Sequence, residues 1–158
     1  MKKLIGTSLV WLIFVLCPAG WAASDGVQTF AVLVPTYHGP AKYKYLQKGI
    51  QSMLQSRLTR PGCLSPAADD DQMKSDQVSS QKKAKAILAL LDTDILVWGD
   101  VTVVSDKASV DLTVFDGKSQ TTYSTQASLQ ELVLSLEKLA ERIAAPLCGS
   151  SSQEEAKS

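Results

Sequence analysis

Hydrophobic positions along this chain change period several times, and each change predicts an element. Phe30 to Val34 (FAVLV) is an unbroken apolar run rich in β-branched residues and closed by Pro35. It is too short for a helix and predicts a strand buried on both faces. Thr36 to Ala41 (TYHGPA) carries Gly39-Pro40 and predicts a turn. From about Lys42 the spacing lengthens. Leu46, Ile50, Met53, Leu54 and Leu58 recur every three or four residues, the stripe of an amphipathic helix that Pro61-Gly62 stops. Residues 63–79 are polar, leaving room for a short strand within Cys63 to Pro66 and otherwise predicting loop. A second helix starts near Ser79 or Ser80, which can cap it, and buries Ala84, Ile87, Leu88 and Leu91.

Asp92-Thr93-Asp94 ends that helix. Ile95 to Val104 (ILVWGDVTVV) begins as an unbroken apolar run, as in a central strand, and alternates beyond Gly99. Val110, Leu112 and Val114 alternate with Asp111 and Thr113, predicting the return strand of a hairpin with one wet face. Asp116-Gly117 marks another turn, and Gln120 to Thr125 reads as a polar strand at the edge, able to accept a partner strand. Ser128 and Glu131 have the spacing of a capping box, and Leu129, Leu132, Val133, Leu136, Leu139, Ala140 and Ile143 carry an apolar helix face to Pro146. Residues 149–158 are small and charged and predict a disordered tail. The order predicts an α/β (α+β) fold: one mixed sheet of about four to five strands with three helices packed mainly on one face.

The amino terminus predicts export. Lys2-Lys3 precede the predominantly apolar stretch Leu4 to Leu16, and Pro18, Gly20 and Ala22 supply a helix break and small residues for cleavage after about Ala22. The stretch is shorter than the ~20 residues of a bilayer span, so no stable membrane span is expected. Cys17 follows Leu16, where a lipoprotein would carry Gly, Ala or Ser, so it is expected to leave with the signal. The mature chain, residues 23–158, is one domain by length, spanning 23–148 before the tail. Losing Lys2 and Lys3 leaves 14 basic against 16 acidic residues, which gives no electrostatic reason to expect nucleic acid as a partner. Two cysteines remain, Cys63 and Cys148. In an oxidising compartment they predict a disulfide, two unpaired thiols being the alternative.

Side chains able to do chemistry are sparse. His38 is the only histidine, and without a second it builds no ordinary zinc site. Asp69-Asp70-Asp71 lacks the alternating spacing, Gly turn and distal Glu of a calcium loop, and reads as a solvated acidic loop. No phosphate loop or nucleophile elbow occurs. The expectation is therefore a non-enzyme without cofactor or metal. The best contact candidates are Tyr37, His38, Tyr43 and Tyr45, because three of the four tyrosines fall within nine residues beyond a buried strand.

Three segments carry a family resemblance: FAVLVPT (Phe30 to Thr36), YLQKGIQSMLQSRL (Tyr45 to Leu58) and DILVWGDVTVVSDKASVDLTVFD (Asp94 to Asp116). They resemble a group of exported bacterial α/β domains that includes the amino-terminal domain of TolB, CsgG, FlgO and LpoB. In that group a buried strand ends in Pro, a helix follows, and a later strand runs through a Gly into a hairpin. Nothing within this sequence supplies the TolB propeller or the membrane-spanning hairpins of the CsgG pore. The resemblance thus implies a periplasmic or secreted domain that binds an envelope protein, as an assembly or secretion accessory. The alternative is a small-ligand or polysaccharide-binding domain using the same loop. Oligomeric state and partner identity are open at this level.

Overall fold

Alternation along the central strands decides which faces must be covered. The computed structural model describes residues 26–67 and 73–149. The predicted export segment with Cys17, the Asp69-Asp70-Asp71 run and the tail beyond Gly149 lie outside them. The elements are β1 (Gln28–Val32), β2 (Thr36–His38), α1 (Leu46–Leu58), β3 (Leu64–Pro66), α2 (Gln81–Leu91), β4 (Ile95–Val104), β5 (Lys107–Phe115), β6 (Gln120–Ser128) and α3 (Leu132–Cys148). They form one mixed sheet in the order β3-β1-β4-β5-β6, with β2 also pairing with β4 beyond the end of β1. The β1 pairings with β3 and β4 are parallel, and the β4-β5-β6 meander is antiparallel.

On one face Phe30, Val32, Ile95, Val97, Val101, Val103, Val110, Leu112 and Val114 meet the apolar stripes of α1 and α3 in the main core. On the other face Leu33, Leu96 and Phe115 pack against Ala84, Ile87 and Leu88 of α2. Two helices thus share a face, as expected for most of them, while α2 covers the opposite one. This explains the two halves of β4: the apolar Ile95–Trp98 half has helices on both sides, and the alternating half beyond Gly99 does not.

Gly99 sits where sterics demand it. A Cβ there would run into the backbone carbonyl of Asp111 and stand 2.9 Å from Leu112 Cα on β5. No side chain fits such an approach.

Three local expectations are corrected. Thr36–His38 is a strand, not part of a turn; only after it do Gly39-Pro40 and a 3-10 turn (Ala41–Tyr43) lead to α1, which begins at Leu46 and not near Lys42. Pro146 does not end α3 but lies inside its last turn, where the missing N–H costs only one helical bond. The expected capping box is altered: Glu131 N–H donates to Ser128 Oγ at 3.3 Å, but the Ser128 hydroxyl also meets the Glu131 carboxylate at 3.0 Å. Ser128 is the last residue of β6, and α3 begins only at Leu132, with Glu131 at its N-cap and no side-chain cap bond. The Ser128–Glu131 pair thus belongs to the turn before the helix, and Leu129 lies outside α3. By contrast Ser80 caps α2 as predicted, accepting from Lys83 N–H at 3.3 Å.

Candidate protein-contact site

The site begins with a break in pairing. Val32 pairs with Val97 and Thr36 with Asp100, so the first strand spends one more residue than β4 over this stretch. Pro35, which has no N–H for a ladder, lies within the break. Val34 instead exchanges bonds with a neighbouring segment, donating to Met73 O at 3.0 Å and accepting from Ser75 N–H at 2.9 Å. Buried Ser75 then fills the gap on β4, its Oγ accepting from Gly99 N–H at 3.0 Å. From the other face, α1 supplies two glutamines one turn apart. Gln51 Nε2 donates to Val32 O and Gln47 Nε2 to Pro35 O, each at 2.8 Å. Sequence reasoning missed all three. A signal existed, since Gln51 adjoins Ile50 and lies three residues from Leu54 on the buried stripe.

Beyond the break an open cleft of about 990 Å³ forms at the carboxyl end of β1. Val34, Pro35 and Thr36 form part of its lining, with Lys44, Gln47 and Lys48 on the α1 side and Lys74, Asp76 and Gln77 opposite. Three lysines and one carboxylate give its described lining a positive balance.

Tyr37 also lines the cleft. Its ring packs against the main core, and its hydroxyl donates to Pro40 O at 2.8 Å, pinning the turn. Gly39 makes this turn possible: at φ 155° a Cβ would fall 2.8 Å from both the Tyr37 hydroxyl and Val103 O. Partial desolvation, then the nearby Tyr43 and Tyr45 phenols, raise the Tyr37 pKa above its ordinary range. The three phenols are near enough to interact electrostatically, and of them Tyr37 lines the cleft. Tyr43 is half-buried under Lys42, whose Nζ lies 4.7 Å from the ring centroid, whereas Tyr45 is 69% exposed.

His38 parts from them. Strand alternation sends it to the wet face with Thr36, where its Nε2 lies 3.5 Å from Asp100 Oδ1. Asp100 stands directly opposite Asp111 on β5, so His38 lies beside a cross-strand pair of like charges. Among the described residues no group of three or more His, Cys, Asp or Glu is placed to hold a metal ion.

Cys63 and Cys148 form a disulfide, with Cα atoms 5.7 Å apart, tying the turn before β3 to the last residue of α3. It lies away from the tyrosines and has a structural role. No helix among the described residues is long and apolar enough to cross a membrane.

No family model matches the chain, and no curated protein is similar to it in sequence. Solved structures are similar in fold. The hypothetical protein CT253 from Chlamydia trachomatis matches with a TM-score of 0.50 and 18% identity, over 77% of this chain and 96% of that one. TolB from Acinetobacter baumannii matches at 0.49 and 10%, over 81% of this chain but only 29% of that one. The LpoB carboxy-terminal domain from Salmonella enterica matches at 0.42 and 9%, over 65% and 82%. At 18% identity the likeness to CT253 is one of fold alone, and it extends over nearly all of that chain.

Proposed function

We propose that this domain is a non-catalytic, periplasmic protein-interaction module of the bacterial envelope, an accessory to assembly or secretion. The observation that carries the reading is the open, lysine-bearing β1 cleft lined by Tyr37 and Lys44, with Tyr43 and exposed Tyr45 flanking Lys44 in the chain. Tyrosine provides large contact area with few rotatable bonds, which suits protein recognition. The Cys63–Cys148 bridge supports an oxidising destination. The resemblance of the three quoted segments to the TolB, CsgG, FlgO and LpoB group supports an envelope role. A photo-crosslinking residue placed at position 45 tests the reading against one at the equally exposed Leu90 on α2. A discrete protein adduct in intact cells from position 45 alone is expected. Equal adducts from both positions, or none, contradict it.

The cleft also favours a second reading, a small-ligand or polysaccharide site. A groove of about 990 Å³ admits such a molecule, and Tyr37 offers it an aromatic surface. Saccharide-dependent thermal stabilisation of the isolated domain, lost in Tyr37→Ala, would favour that reading.

A further inference from the structure

The outer edge of the sheet offers a different surface. In the β5–β6 hairpin, bonds from Leu129 N–H to Asp106 O and from Asp116 N–H to Ser119 O place odd-numbered residues in the ladder toward β5. Antiparallel bonding alternates, so Gln120, Thr122, Ser124 and Gln126 aim their N–H and C=O groups outward. The pairing runs through nine consecutive residues without a bulge. QTTYSTQAS contains no proline, lysine or other charge. These are the devices that normally spoil an edge for pairing, and β6 has none.

One guard is present, and it points to the partner's chemistry. Arg142 Nη1 donates to Ser124 O at 3.3 Å in the middle of the edge, with its guanidinium 5.9 Å from the Tyr123 ring centroid. Arg142 is exposed and comes from α3, so it is a long side chain that can swing away. Lys138 lies one helical turn earlier on α3 and is exposed too. By contrast Glu137 is turned to α1, ion-paired with Arg57 at 3.0 Å. A strand added to β6 would thus meet cations on its α3 side and the small polar side chains of Thr122, Ser124 and Gln126 on the other.

We propose that β6 accepts an extended, acidic segment of a partner protein as an added strand, and that Arg142 exchanges the Ser124 carbonyl for a carboxylate of that segment. Main-chain bonds supply adhesion and the Arg142 contact supplies selectivity. A second copy of this chain fits less well, because two-fold pairing about Ser124 would bring two Arg142 side chains together.

The probe is a synthetic peptide as long as β6, Thr-Glu-Thr-Val-Thr-Glu-Thr-Val-Thr, with a counterpart carrying Lys for Glu, titrated into the mature protein by NMR. Slowed amide exchange at Thr122 and Gln126 is expected, with the acidic peptide binding at least about tenfold tighter. Thr122→Pro removes an outward N–H without taking a ladder bond from β5 and should abolish binding. Arg142→Glu leaves the backbone intact and should reverse the peptide preference. No binding at millimolar peptide, equal binding of both peptides, or a dimer that Thr122→Pro dissociates would each overturn the proposal. Because β6 is separate from the tyrosine cleft, crosslinking at position 45 reports independently of this result.

Discussion

Gln51 donates from α1 to the carbonyl of Val32 at 2.8 Å, and both residues are buried. The strand break after β1 has to satisfy its backbone groups without a continuous ladder, and this amide serves one of them. Gln51→Met keeps volume and helix propensity but removes the donor. We expect a loss of about 1–3 kcal/mol in urea unfolding. Gln47→Met, acting at a part-buried bond to Pro35, should cost less.

Two glycines predict opposite outcomes for the same substitution. Gly99→Ala forces a methyl against the β5 backbone and should destabilise by about 1–3 kcal/mol or more. Gly49 lies within α1, where a Cβ would meet nothing within 4 Å. Gly49→Ala should stabilise by about 0.5–1 kcal/mol. Thermal melting of the two variants checks both signs.

The Cys63–Cys148 bridge spans 85 residues of sequence. A loop of that size is worth up to about 4.5 kcal/mol in the chain-entropy model. Cys63→Ser with Cys148→Ser should therefore lower stability by about 2–4.5 kcal/mol. Thiol titration of the unfolded, unreduced mature protein should find no reactive pair.

Acid should loosen the β5–β6 turn. Asp116 accepts from Ser119 N–H, at 2.6 Å, and from Lys118 N–H and the Ser119 hydroxyl, both at 2.8 Å. These bonds, with that from Ser119 N–H foremost, outweigh partial desolvation and hold its carboxyl below the ordinary range. A depressed folded pKa means the contribution is full above the unfolded value and lost as pH falls through the folded one. Stability measured from pH 6 downward should fall less steeply below about pH 4 in Asp116→Asn than in the native protein.

Elements with a strong period were legible in the sequence. The stripe from Leu46 to Leu58 and the alternation from Val101 to Val114 are local statements of which side is buried. The three residues of β2 carry no such pattern, since their pairing with β4 depends on a register change made elsewhere. Nor does periodicity say which side of a sheet a helix covers. Ala84, Ile87 and Leu88 resemble the stripe of α1, and only the doubly apolar half of β4 hinted at a helix on each side. The tyrosine cluster was visible as composition. The cleft beside it was not, because Lys44, Lys48 and Lys74 converge only through the Val34–Ser75 pairing.

The central claim is that the tyrosine segment, Tyr37 to Tyr45, contacts a protein of the envelope. Its most direct test is quantitative affinity capture from envelope extract, comparing the native domain with a Tyr45→Ser variant of unchanged melting temperature. Tyr45 is exposed, so the substitution should leave the fold intact. We predict one partner enriched by the native domain and reduced at least about tenfold by Tyr45→Ser, the scale of losing an interface hot spot. Identical capture by the two proteins, or no specific partner with either, would contradict the account.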